Sequence, residues 1–285
     1  MIRDPEARTG AFASILLSPI TVLYLLFLLA PISYFLAVSF FKYSPAELFI
    51  PGFTTENYSR LLFDSYYRNV IYSTFRIAAV VTVISLVFAY ALAYFLARMT
   101  SGWRSLLMFL IVAPLMTGII VRTYGWIVLL GSDGLINRLM MLVGLIAAPV
   151  ELLHREGTVI VALVHIMLPY MVFPIFSSLT SQDRHLVPAA STLGARPLRA
   201  FLEVTLPLSR SGIVMGSALV FTLTAGSVVT PQLLGGRDVT MMGQTIYNLV
   251  LSTFNWPLGA AVAALLVLTQ FLVISLYFRK TRGAH

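Results

Sequence analysis

The sequence predicts an all-α, polytopic membrane protein with six transmembrane helices, and three observations carry the prediction. Hydrophobic residues make up 59% of the chain and charged residues 11%, with a mean hydropathy of +0.90. A soluble domain carries roughly 25% charged residues, so this surface needs lipid as its solvent. Six segments are each apolar over about 20 residues, the length that crosses ~30 Å of hydrocarbon. The loops between them carry basic residues unequally on the two sides, as membrane topology demands.

The six segments are Ala11–Phe40, Val70–Ala97, Leu106–Leu130, Val159–Leu179, Ile213–Val229 and Pro257–Phe278. Each is read as a helix, because an open strand in lipid leaves backbone groups unpaired. The first is about twice as long as the apolar region of a cleavable signal, and is read as a retained span. Between spans, Lys42–Asn69 is long and polar, whereas Leu135–Val143 and Met241–Thr253 alternate apolar and polar residues. Such segments lie in the interface or fold over the outer mouth of a pathway. No linker or repeat divides the chain, so residues 1–285 read as one membrane domain.

Charge sets the expected orientation. With an even number of spans both termini share one side, and that side carries 11 basic and 4 acidic residues. The opposite side carries 6 basic and 7 acidic residues, while Arg76 and Arg122 fall within spans. Cytoplasmic loops retain Lys and Arg, so both termini are expected in the cytoplasm.

Several function classes are excluded. The net charge is +8, but lysine occurs only at Lys42 and Lys280 and no basic cluster forms a nucleic-acid face. There is no cysteine, hence no disulfide and no thiolate metal site. Four scattered histidines and no acid within a predicted span leave no catalytic or metal constellation. The same lack of intramembrane acids, and of inverted repeats, weighs against an ion-gradient-driven secondary transporter, the alternative for a transport protein. No GxxxxGK[ST] loop exists to hold a nucleotide, so this chain has no cofactor of its own.

The segment Ser181–Gly212, between the fourth and fifth spans, is too polar to cross yet carries two short helix signals. Pro188 suits a first helical turn, Ala189, Ala190 and Leu193 follow on one face, and Gly194 suits a C-terminal cap. A second start follows at Pro197, with Leu198, Phe201 and Leu202 on one face, and Pro207 is expected to break the pattern. One reading is a knob whose Leu193, Leu198 and Phe201 fill a partner's groove. The other is a hairpin that merely links two spans.

Within the spans, Arg122 lies beside Tyr124 and Trp126. It either snorkels to the interface or meets an anionic solute or a docked binding protein. His165, alone in the fourth span, suits a helix–helix hydrogen bond or a role toward solute or protons. Pro114, Pro169 and Pro174 suit kinks. In the fifth span Ser217, Val220, Thr224, Ser227 and Pro231 share one helical face, with Thr230 beside it, and these hydroxyls can line a passage or bond a neighbouring helix. Gly212 and Gly216 form a GxxxG pair of the close-packing kind.

Pro188-Ala189-Ala190, Gly194-Ala195 and Leu206-Pro207 together resemble the EAA loop of binding-protein-dependent ATP-binding-cassette importer permeases. Pro188 stands where that family usually has Glu. Further matches are Thr55-Glu56-Asn57-Tyr58, Val121-Arg122-Thr123-Tyr124-Gly125-Trp126, Thr230-Pro231 with Leu233-Leu234-Gly235-Gly236, and Asn255-Trp256-Pro257-Leu258-Gly259-Ala260. From about residue 53 to 279 the chain is similar to the spermidine/putrescine permease subfamily. The resemblance implies a bacterial inner-membrane transport subunit, half of a solute pathway, with a coupling helix for a cytoplasmic ATPase. It implies as partners an ATP-binding-cassette ATPase dimer holding ATP and Mg, a second, paralogous permease subunit and an extracytoplasmic solute-binding protein. Together with the knob reading, it puts ATPase coupling at Pro188, Ala189, Ala190, Leu193, Gly194, Ala195, Leu198 and Phe201. The pathway candidates are Arg122, Tyr124, Ser217, Thr224, Ser227 and Thr230. The solute is expected to be a polyamine or another small polar compound such as an amino-acid derivative, opine or phosphonate.

Overall fold

The computed structural model describes residues 5–183, 185–236 and 239–282, with side chains described between 17 and 275. Of the residues weighed for orientation, Arg3, Asp4, Arg184, Arg237 and Asp238 lie outside the described residues, as do the side chains of Arg8, Arg279, Lys280 and Arg282.

Helix α1 runs Pro5–Val38. The chain turns after it because Asn57 is buried there and its Nδ2 donates to the Ser39 and Phe41 carbonyls, each at 2.9 Å. Tyr58 adds a 2.7 Å hydroxyl contact to Ser39. A small antiparallel hairpin follows, β1 (Lys42–Ser44) against β2 (Leu48–Ile50), with Tyr43 opposite Phe49. This hairpin departs from the all-α expectation. Helix α2 (Glu56–Phe63) leads into α3 (Ser65–Arg98), where Asp64 caps the first turn by accepting from the Tyr66 N–H at 2.8 Å.

The expected third span is broken. Helix α4 covers Trp103–Val112, a 3-10 turn covers Ala113–Met116, and α5 begins only at Ile119 and ends at Leu130. Pro114 lacks an N–H and its ring crowds the carbonyl one turn earlier. The turn therefore tightens, Thr117 extends (ψ 137°), and its hydroxyl donates to the Pro114 carbonyl at 2.7 Å. The two amphipathic stretches are helices, α6 (Leu135–Leu142) and, later, α13 (Met242–Leu251). Buried Asn137 holds α6 with three hydrogen bonds, donating to the Gly131 and Val150 carbonyls and accepting from the Val150 N–H.

Helix α7 (Glu156–Thr180) is the fourth span, with Pro169 and Pro174 inside it. The loop beyond it holds α8 (Leu186–Thr192), α9 (Pro197–Ala200), a π turn (Phe201–Thr205) and α10 (Leu206–Leu208). Helix α11 (Arg210–Ala225) bends 62° from the preceding Pro197–Leu208 segment. Pro207 was expected to end the pattern. The helix instead accommodates it by widening: the Leu206 N–H reaches five residues back to the Phe201 carbonyl. The fifth span starts at Arg210 and ends at Ala225, four residues earlier than expected, because Pro231 cannot continue α11 through Ser227. The chain breaks at Gly226–Val228 and restarts as α12 (Val229–Leu234). Helix α14 (Trp256–Arg282) completes the chain, with the Asn255 side chain accepting from the Leu258 N–H at 3.2 Å.

Among the described residues five helical stretches are long and apolar enough to span a membrane, α1, α3, α7, α14 and the 119–142 stretch that holds α5 and α6, or six if the bent 197–225 pair counts as one. Helices α3, α7 and α11 form the centre of the fold, burying Ile77, Val81, Leu163, Met171, Ile175 and Val220. Small residues bring the axes together. A Cβ on Gly212 would stand 2.5 Å from the Pro174 carbonyl oxygen, and one on Gly216 would stand 2.8 Å from Met171 Sδ. The GxxxG pair is thus a packing face against α7. A second cluster, including Leu61, Val70, Phe221, Met242 and Leu258, joins α2, α3, α11, α13 and α14. Helix α1 lies against α14 and leaves most of its apolar surface outward, from Leu17 to Leu36.

Candidate functional site

Two turns of chemistry end α8. Gly194 adopts φ +86°, its N–H donates to the Ser191 carbonyl, and the Ala195 N–H reaches the Ala190 carbonyl, both at 3.0 Å. That pair of bonds closes the helix on a left-handed glycine, the stop that the Gly194-Ala195 dipeptide suits. Space around Gly194 is open within the chain, so the glycine answers a backbone need here. Helix α8 starts at Leu186, two residues ahead of the expected Pro188, which still falls in the first turn where an N–H is dispensable.

The loop presents unpartnered apolar side chains. Leu193 is 88% exposed and Leu198 70% exposed, with Pro188, Ala189 and Leu202 also at the surface. Phe201, grouped with them by spacing, lies elsewhere. It turns inward and meets Tyr90 and Tyr94 of α3 edge-to-face, at centroid distances of 5.7 and 5.4 Å. Ala200 is buried beside it, the Tyr90 and Ser209 hydroxyls are 3.0 Å apart, and Gln182 Nε2 donates to the Thr205 carbonyl. The knob is therefore bolted to α3, the helix most tightly packed on α7 and α11. Tyr90 and Tyr94 went unnoticed in the sequence, although aromatic residues four apart on one helix face were their signal.

The pathway candidates separate into two groups. Ser217, Val220, Thr224, Ser227, Thr230 and Pro231 are all buried inside the chain. Thr230 meets Thr123 of α5 hydroxyl to hydroxyl at 3.3 Å. The stripe with the right periodicity faces neighbouring helices of the same subunit. The face of α11 left open is apolar: Met215, Leu219 and Leu223. On α5, Val121, Tyr124 and Val128 are exposed, while Arg122 is half-buried with Nε and Nη1 sealed and without a partner among the described residues. Arg76, equivalent to Arg122 in the sequence, is ion-paired with Glu156 at the start of α7. His165 meets Trp126 edge-to-face at 5.6 Å, an aromatic contact where a hydrogen bond was expected. Gly236, at φ +58°, passes so close to His154 that a Cβ would stand 2.7 Å from its Nδ1, which explains a glycine in that apolar-glycine motif. Among the described residues no three His, Asp or Glu converge on a metal position.

Long apolar helices, one of them broken, define an integral membrane protein. The chain belongs to the family of binding-protein-dependent transport system inner membrane components, which matches residues 89–280. It is 34% identical over 256 residues to the spermidine/putrescine transport system permease protein PotB of Haemophilus influenzae, covering 90% of this chain and 89% of that one. It is also 34% identical over 257 residues to PotB of Escherichia coli, covering 90% and 93%. Its fold matches a bacterial ABC transporter that imports the acidic polysaccharide alginate, with TM-score 0.77 at 16% identity, over 98% of this chain and 97% of that one. The chain is thus a permease component of an ATP-binding-cassette importer in the inner membrane. It is a transport subunit and not an enzyme.

Proposed function

We propose that this subunit forms half of the translocation pathway for a polyamine or another small polar solute, and that the loop 186–208 is where it is driven. The observation that carries this reading is the pairing of opposites in the loop. Leu193 and Leu198 project outward with no partner, while Phe201 locks the same segment onto α3. A partner that grips the leucines moves α3, and with it the α7–α11 packing. The partner is an ATP-binding-cassette ATPase dimer carrying ATP and Mg. The other partners are a second, paralogous permease subunit and an extracytoplasmic solute-binding protein. In this reading residues 1–285 form one permease domain with six spans and both termini cytoplasmic, α4 and α5 together making the broken third span. The solute class rests on the kinship with the two PotB proteins. The open faces of α5 and α11, with Tyr124 among them and the half-buried Arg122 beside them, meet the second subunit or the pathway.

Gly194→Asp tests the reading. It places a charge in the turn between the two leucines. Gly194→Asn keeps the left-handed turn, which Asn tolerates, without the charge. In proteoliposomes holding the full importer, Gly194→Asp is expected to lose ATPase binding or to uncouple hydrolysis from uptake, and Gly194→Asn to retain most uptake. Uptake and solute-stimulated hydrolysis at the parent rate in Gly194→Asp would refute the docking role.

A further inference from the structure

Beside the knob, between the ends of α3 and α7, lies a cleft of about 690 Å³. Two arginines line it. The Arg98 guanidinium lies over the Tyr94 ring, 4.3 Å from its centroid, and that of Arg104 lies over Phe176 at 4.9 Å. Stacking fixes each guanidinium by its face and leaves its N–H edges free for a planar or tetrahedral oxyanion. Neither arginine is in an ion pair among the described residues. Asp183 is the acidic group at the cleft, and its Oδ1 accepts from the His185 N–H at 2.9 Å. The rest of the wall is mixed: Ala97, Met99, Leu179 and, from α8, Val187 and Pro188 are apolar, and Thr100, Gln182 and Thr205 are polar. Trp103, next to Arg104, is 67% exposed. An exposed Trp at the end of a membrane helix marks the level of the lipid headgroups.

A cleft at headgroup depth with two guanidinium edges over a wall of mixed apolar and neutral polar groups has the chemistry of an anionic lipid headgroup site. We propose that it binds the phosphate of an anionic phospholipid, and that the bound headgroup braces α8 against α3 and α4. Coupling then depends on the lipid, because α8 carries the docking surface. This inference rests on the cytoplasmic placement of the loop proposed above. Free inorganic phosphate offers the same oxyanion, so the test separates the two sources.

The whole importer is placed in nanodiscs of phosphatidylcholine alone or with added phosphatidylglycerol. Retained lipid is read by native mass spectrometry and solute-stimulated ATP hydrolysis is read alongside. The parent complex is expected to retain phosphatidylglycerol and to hydrolyse ATP several-fold faster in its presence. An Arg98→Gln/Arg104→Gln double variant is expected to hold that lipid roughly 30-fold more weakly. It should lose the lipid response while keeping the rate seen in phosphatidylcholine. Arg138→Gln, on α6 at the other end, should behave as the parent. The proposal is overturned if the double variant retains lipid and response, if the parent shows neither, or if inorganic phosphate in phosphatidylcholine discs reproduces the acceleration. Failure of the loop's coupling role looks different: solute would then fail to stimulate hydrolysis in any lipid.

Discussion

Phe201 and Gly194 divide the labour of the loop at the level of single side chains. Phe201 makes two edge-to-face ring contacts, each worth about 0.5–1.5 kcal/mol beyond its buried area, so Phe201→Ala frees the knob from α3 without removing the leucines from its surface. The expected outcome is an importer that still binds its ATPase and hydrolyses ATP, but moves less solute per ATP; Phe201→Tyr should retain the parent ratio. Parallel assays of uptake and hydrolysis check this. The role of Gly194 was legible in the sequence, because a glycine after a run of small helical residues is a stop signal whatever surrounds it. The direction of Phe201 was not. Spacing says that Leu198 and Phe201 neighbour each other, and the widened turn forced by Pro207 lies between Phe201 and the next span. Arg76 and Arg122 teach the same lesson: alike in sequence, they differ because Glu156 reaches only the first.

Among the elements, small residues and prolines decide where helices approach and where they break. A Cβ on Gly212 meets the backbone of α7 at 2.5 Å from the Pro174 oxygen, whereas one on Gly216 first meets the movable end of Met171. Overpacking of this kind costs about 1–3 kcal/mol. Gly212→Ala is therefore expected to lower the thermal midpoint of the detergent-purified complex more than Gly216→Ala does. Equal midpoints would show that α7 and α11 can part freely. Hydropathy located the helices because length and apolarity are local properties. It joined α4 to α5 and extended α11 too far, because the breaks depend on prolines whose cost the surroundings can absorb or not. It gave the hydroxyl stripe of α11 a face, but a period carries no record of which neighbour that face meets. Ser217, Thr224 and Ser227 turned out to face their own subunit.

The whole molecule is built on a packed three-helix centre, α3–α7–α11, with an apolar exterior. Its α5 and α11 faces and the outward side of α1 leave apolar side chains uncovered. The lever we propose is the loop at 186–208. The chain contains no cysteine, so one introduced thiol reports one position without background. The most direct test of the account is Leu193→Cys in the intact importer, probed with a membrane-impermeant thiol reagent and with crosslinking to the ATPase. The account expects reaction only from the cytoplasmic face and a crosslink to the ATPase subunit that solute and ATP alter. Labelling from the outer face, with no crosslink to the ATPase, would contradict it.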